Sequence, residues 1–295
     1  MENKLTKQST VNKVGRSDFV MMGDIRLRQP LPTNKIDNVD PFLLLHHYGP
    51  FEISSRHNPL DLGPHPHRGF EPATILLQGE QLHRDSLGNE SIVKAGDVQW
   101  TTAGRGIVHA EGPSKEFVEK GGVLEGIQLW VNLPANKKMI PANYQHVRKE
   151  EFPEKTSDDG KVVMRVLAGS LSDLKGSIQA QTDVDLYFIE GQSEGEVVIH
   201  VKESHQASLY LIEGSVVIND VIFLKKNENQ FATFEQDGEG FRLKISEDAK
   251  LLFFSGVPLK EKVVSYGPYV MNSQTEILEA MRDFQMGKMG FLPRN

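Results

Sequence analysis

Short apolar runs closed by turn residues recur along the whole chain. "ATILLQG" (73–79), "SIVKAGDVQW" (91–100) and "GIQLWVNLP" (126–134) lie in the first half. "DLYFIEG" (185–191), "GEVVIHV" (195–201), "ASLYLIEGSVVIN" (207–219), "QFATF" (230–234), "GFRLKI" (240–245) and "KLLFFSG" (250–256) follow in the second. Most runs are rich in Val, Ile, Leu, Phe and Tyr and are bounded by Gly, Asn, Asp or Glu. Many short strands at a spacing of roughly ten residues predict an all-β sandwich or barrel. "INDVI" around Asn219 and Asp220 has the length of a tight hairpin turn, without the usual Asn-Gly. One stretch has the other periodicity. In "NSQTEILEAMRDFQMG" (272–287), Ile277, Ala280, Met281 and Phe284 fall on one helical face. Asn272 or Ser273 can cap that helix, Glu276 completes a capping box, and Gly287 can end it.

The segment 132–161 is polar and broken by Pro134, Pro141 and Pro153, which predicts a linker or an irregular crossing. The chain of 295 residues exceeds the usual single domain. A faint internal repeat suggests two similar halves. "TILLQGE" (74–80) aligns with "LYLIEGS" (209–215), matching Gly79 to Gly214; "KAGDVQWTT" (94–102) aligns with "KNENQFATF" (226–234), matching Gln99 to Gln230. The expected division is residues 1–140 as a first barrel, and 141–295 as a second barrel plus the helix.

Composition narrows the chemistry. A formal net charge of −7 argues against direct nucleic-acid binding. There is no cysteine, so disulfides, thiolate zinc sites and iron–sulfur clusters are excluded, and any metal must use His, Asp, Glu or water. No apolar run approaches the length of a membrane span, and the N-terminal stretch has no signal-like apolar core; the cytosol is the default expectation.

Seven of the ten histidines precede residue 110. His65 and His67 are two apart, as are His109 and Glu111, and residues i and i+2 share one side of a strand. If both strands line one barrel, the four side chains converge. Three neutral imidazoles and a carboxylate suit Fe, Mn, Co, Ni, Cu or Zn, and Ca or Mg much less. Glu71 has the same strand parity as His65 and His67, and spacing alone leaves Glu71 and Glu111 as competing acids. His46 and His47 are adjacent and face opposite ways on a strand. His83 precedes a turn-like stretch and is expected at the surface; His57 is expected in a loop, at the surface or on a pocket rim. The repeat offsets set His200 against His65, Lys202 against His67, Gln206 against Glu71, Gly240 against His109 and Arg242 against Glu111, so the second half is expected to hold no equivalent metal.

The segments "DPFLLL" (40–45), "HPHRGFEPATILLQGE" (65–80), "DVQWTTAGRGIVHAE" (97–111), "GIQLWVNLP", "GPYVMNS" (267–273) and "TEILEAMRDF" (275–284) resemble the pirin family of the cupin superfamily. They span nearly the whole chain. The resemblance implies a bicupin, two antiparallel jelly-roll-like β-barrels with a C-terminal helix. It implies one divalent ion, iron(II) first among the candidates, held in the first barrel by His65, His67, His109 and Glu111. Glu71, often the ligand position in other cupins, then becomes a supporting residue. "TTAGRGIVH" departs from the general cupin form in lacking a proline, and "HHYGP" (46–50) stands where many relatives are acidic. Several pirins resemble quercetin 2,3-dioxygenases, which implies a flavonol and dioxygen as substrates and Glu111 as the proton acceptor. Other pirins resemble iron-dependent regulators that act through protein contacts. A sugar-binding or isomerase-like cupin is the remaining reading.

Overall fold

The computed structural model describes residues 5–293. The chain divides into two compact units that interleave along the sequence. The amino-terminal barrel comprises Phe19–Arg28, Phe42–Lys149 and Leu259–Asn295; the carboxy-terminal barrel comprises Met1–Asp18, Gln29–Pro41 and Glu150–Pro258. The central break thus falls at Lys149/Glu150 and not at 140. Two terminal segments depart further from the expected division. Val11–Gly15 pairs with Phe231–Phe234 in the carboxy-terminal barrel, and the helix Gln274–Gln285 belongs to the amino-terminal unit. Both exchanges rest on pairing and packing between segments more than 150 residues apart, which local pattern does not encode.

The amino-terminal barrel is made of two antiparallel sheets. One runs in the order Asn143–Val147, Val98–Thr102, Phe70–Gln78, Gly122–Asn132, Phe42–Ile53, Ile25–Leu31, Asp18–Met22. The other runs Leu62–His67, Ile107–Gly112, Glu80–Asp85, Glu90–Lys94. Leu27, Leu60, Leu76, Val93 and Leu124 pack into a buried cluster. The segment expected to be a linker supplies the edge strand Asn143–Val147, with His146 opposite Gln99. Its prolines flank that strand rather than interrupt it, which is where proline is tolerated.

Gly69 separates Leu62–His67 from Phe70–Gln78. Its φ is +87°, and an added Cβ would lie 2.0 Å from the Val270 carbonyl oxygen, so only glycine fits. This break ends the strand parity that linked Glu71 to His65 and His67. The Gly69 carbonyl is held by Lys138 Nζ at 2.7 Å, which also donates to Asn132 Oδ1 and the Val270 carbonyl.

The helix Gln274–Gln285 starts as the sequence predicts. Ser273 Oγ accepts from Glu276 N at 3.3 Å, and Glu276 Oε2 accepts from Asn272 N at 3.2 Å. Ile277 and Ala280 are buried against Val108, Tyr269 and Met271. Phe284, expected on the same stripe, is 38% exposed. Asp283 on this helix accepts two hydrogen bonds from the buried Arg68, both at 3.1 Å. Because Arg68 follows His67, the helix braces the strand that carries two candidate ligands.

The carboxy-terminal barrel centres on a nine-stranded antiparallel sheet and one apolar core that includes Leu209, Leu211, Phe241, Leu243 and Phe253. Asn219 and Asp220 both have positive φ, 52° and 58°, the geometry of a type I′ hairpin turn without its glycine. Here His200 pairs with Gly240, as His65 pairs with His109 in the other barrel. For this one pair the repeat offsets fall on equivalent register positions.

Candidate metal centre

Three neighbouring strands assemble the site. Leu62–His67 pairs with Ile107–Gly112, placing His109 opposite His65 and Ile107 opposite His67; the register shifts between His109 and Glu111. Such an irregularity re-aims a side chain. On the other flank, Glu80–Asp85 places Asp85 opposite His109 and His83 opposite Glu111.

The rings of His65, His67 and His109 have centroid separations of 4.4–5.0 Å. One donor atom from each lies within 4.8 Å of the other two. His65 Nδ1 is 2.9 Å from the Gly63 carbonyl oxygen. A carbonyl only accepts, so Nδ1 carries the hydrogen, and in a neutral ring Nε2 is the nitrogen with the lone pair. His67 and His109 are 4% and 1% exposed. All four of their ring nitrogens are buried without a hydrogen-bond partner. Burial, reinforced by the neighbouring imidazoles, holds both well below the ordinary histidine pKa, and the Pro268 carbonyl near His67 does not offset it. Both are therefore neutral, the state that ligates metal. Buried rings with orphaned nitrogens are costly in an otherwise paired interior. A metal at the shared point would take up one nitrogen of each ring and so remove part of that cost, which fits the residues to such an ion.

Glu111 is not part of the same triple. Its Oε2 is 3.9 Å from His109 Nε2, and its Oε1 accepts from Gln99 Nε2. It groups instead with His109 and His83, again with donor atoms within 4.8 Å of one another. His109 is thus the member common to both triples. Glu71 belongs to neither. It is fully buried, and its Oε1 accepts from Trp100 Nε1 at 3.0 Å and Thr102 Oγ1 at 2.7 Å.

His83, expected at the surface, is fully buried. The turn lies beyond Asp85, and within Glu80–Asp85 the burial alternates so that Gln81, His83 and Asp85 face inward. Polar residues at every second position, Gln81, His83 and Asp85, are the signal that could have drawn attention to His83. Tyr144 stacks on His83 with 3.9 Å between ring centroids, and nothing in the polar segment around it announced that role. His46 lines the cavity described below, with its pKa lowered to about 4 by burial. His47, on the other side of the strand, meets Glu125 at 3.0 Å. His57 is exposed and forms an isolated bridge with Ser54.

A cavity of about 340 Å³ opens onto the centre, within the ~300–1,000 Å³ range of small-molecule sites. Leu27, Leu60, Leu62 and Trp130 give it apolar walls, and Tyr48 and Gln128 add polar groups. Tyr48 donates to Gln81 Oε1 at 2.9 Å. Burial first, then the Glu111 charge, pushes the Tyr48 phenol well above its usual pKa, so it remains a donor.

Sequence profiles decide the family. The profile described as Pirin matches residues 24–131, and the profile described as Pirin C-terminal cupin domain matches residues 186–290. The chain belongs to the pirin family. It is a bicupin with one C-terminal helix. Human pirin is 33% identical over 292 residues, covering 97% of this chain and 95% of the human protein. A Pseudomonas aeruginosa relative whose name provisionally assigns it as a quercetin 2,3-dioxygenase is 36% identical over 251 residues, covering 85% of this chain and 87% of that one. A crystal structure of quercetin 2,3-dioxygenase from Acinetobacter baumannii matches this pirin with a TM-score of 0.89 and 35% identity, covering 96% of this chain and 99% of that one. Among the described residues, no helix is long and apolar enough to cross a membrane.

Proposed function

We propose that this pirin is a metal-dependent dioxygenase of the quercetin 2,3 type, with iron(II) as the first candidate ion and Mn, Ni, Cu, Co or Zn as alternatives. The observation that carries the reading is the set of orphaned nitrogens on His67 and His109, beside an apolar-walled cavity that His65, His67 and Glu111 line. His65, His67 and His109 would hold the ion, with Glu111 as the fourth ligand. A pirin from Escherichia coli, 19% identical, has been crystallised with nickel(II), and it supports the fold alone.

When bound, such an ion supplies Lewis-acid acidification of a flavonol hydroxyl and a centre for dioxygen chemistry. The protein's own residues do the rest. Trp130 and the leucines hold the flat aromatic substrate and exclude bulk water. Glu111 accepts the hydroxyl proton, and Gln99 keeps its carboxylate aimed at the site. The overall reaction consumes one flavonol and one dioxygen. Two ring carbon–carbon bonds break, one carbon leaves as carbon monoxide, and both oxygen atoms end in the products.

Aerobic incubation of metal-loaded protein with quercetin, followed by loss of the flavonol absorbance, tests the proposal. The expected result is turnover above a metal-free control. Glu111→Gln is expected to keep much of the metal and lose most of the activity; a metal-loaded variant with full activity overturns the role of Glu111. A regulator acting through protein contacts is the second reading. It draws on the edge strand Asp18–Met22, which exposes Phe19, Met21 and Met22, the last of these also lining the cavity. Quercetin loss no faster than in the metal-free control favours it.

A further inference from the structure

The two donor triples, His65/His67/His109 and His83/His109/Glu111, meet at His109 but do not merge into one group. Two ligands on opposite sides of one ion with bonds of about 2.1 Å stand about 4.2 Å apart. The donors of each triple lie within 4.8 Å of one another, so each closes on an ion with side-chain shifts of up to about 0.6 Å, whereas His83 does not group with His65 and His67.

His83 is built as a ligand. Its Nε2 lies 3.2 Å from Asp85 Oδ2. Asp85 also accepts from the Leu87 and Asn89 backbone N–H groups at 2.8 and 3.1 Å and from Asn89 Nδ2 at 2.8 Å, the contacts of a carboxylate acceptor. A carboxylate only accepts, so Nε2 carries the hydrogen and, in the neutral ring, Nδ1 bears the lone pair. That Nδ1 is buried and has no hydrogen-bond partner. The ring cannot turn freely, because Tyr144 lies flat against it, tilted by 5°. Tyr144 is itself tied by its hydroxyl to Ser91 at 2.6 Å. A histidine with one nitrogen held by a carboxylate and the other bare is the usual construction around a protein-bound metal. His65 and His67 line the cavity and His83 does not.

We propose that His83, His109 and Glu111 form a second, overlapping position for a first-row divalent ion, so that one ion is held either by His65, His67, His109 and Glu111 or by His83, His109 and Glu111. Two nitrogens and a carboxylate oxygen suit the same ions as the outer set, the one with His65 and His67 on the cavity wall. The proposal rests on the metal-site reading above, and the test separates the two.

Metal-free full-length protein is titrated with cobalt(II), read by visible absorption and calorimetry, as wild type, as the His65→Ala/His67→Ala pair, and as that pair with His83→Ala added. The wild type is expected to take up one ion per chain. The pair is expected still to take up one ion, more weakly and with a changed absorption spectrum. Adding His83→Ala is expected to weaken the remaining binding at least tenfold. A pair that binds no cobalt, or that binds equally well with and without His83, overturns the second position while leaving the outer one standing. A wild type that takes up no cobalt overturns both. Circular dichroism checks the fold, and His65→Gln/His67→Gln replaces the alanine pair if that pair unfolds.

Discussion

Replacing His67 with leucine should make the metal-free protein more stable and the metal-loaded protein less so. His67 is 4% exposed, and its ring packs edge-on against Phe70 at 5.2 Å and Trp130 at 5.8 Å. A neutral imidazole presents one donor and one acceptor; neither makes a hydrogen bond of good geometry, although the Pro268 carbonyl stands near the ring. Each unsatisfied buried group costs about 1–3 kcal/mol. Leucine removes both groups and suits the aromatic surroundings, and some of the gain is lost to imperfect packing. A net gain of about 1–3 kcal/mol for the metal-free protein follows, or roughly 2–4 °C in Tm per kcal/mol for a cooperative unit of this size. With metal the order reverses. An ion at a hundred times its Kd stabilises the wild type by about 2.7 kcal/mol, and the variant has lost one of the ligands that secure it. The assay is thermal unfolding of both proteins, in a chelator and in saturating nickel(II) or anaerobic iron(II). A metal-free variant that melts below metal-free wild type would refute the reasoning, because the His67 nitrogens would then be satisfied without a metal.

Gly69→Ala should destabilise the amino-terminal barrel by about 3 kcal/mol or more, since its φ of +87° and the Val270 oxygen 2.0 Å from the new Cβ both oppose a side chain; chemical denaturation measures it. Ser273→Ala should cost about 1 kcal/mol by removing the helix cap, with a lower melting midpoint as the readout. Burial raises the Glu125 carboxyl, but hydrogen bonds from His47 and Gln78 and the charges of His47 and Arg28 hold it below its usual value. A depressed carboxyl stabilises the fold above its unfolded pKa, and that contribution is lost as pH falls through the folded one. Glu125→Gln should therefore be less stable than wild type near neutral pH, with urea midpoints that converge as pH falls from about 5 to 3. Parallel midpoints across that range would remove Glu125 as the source.

Much of the site is local. The two i, i+2 pairs pointed to His65, His67, His109 and Glu111 because alternation along a strand is a property of the strand itself. The three imidazoles do meet, whereas the register shift after His109 leaves Glu111 outside their group. Local spacing likewise accounts for the opposite facing of His46 and His47, and for the Ser273–Glu276 cap, whose partners are three residues apart. The fold class follows from many short apolar runs with turn residues between them. Local pattern failed where position depends on a distant partner. His83 looked superficial because a turn follows it, yet its strand lies beside Ile107–Gly112 and turns Gln81, His83 and Asp85 inward. Tyr144 sat in a stretch that read as a linker, and only pairing with Val98–Thr102 makes that stretch a strand.

The sequence by itself thus determined an all-β chain with two related halves, a capped helix and a histidine-rich centre in the first half, because strand period, capping and composition are near-neighbour properties. The tertiary structure alone decided how those residues combine. The register shift between His109 and Glu111, and the neighbouring strand that brings in His83, divide the donors into two triples around His109. Register and burial are set by which strands meet across the barrel, and that choice is made by the packing of the whole unit.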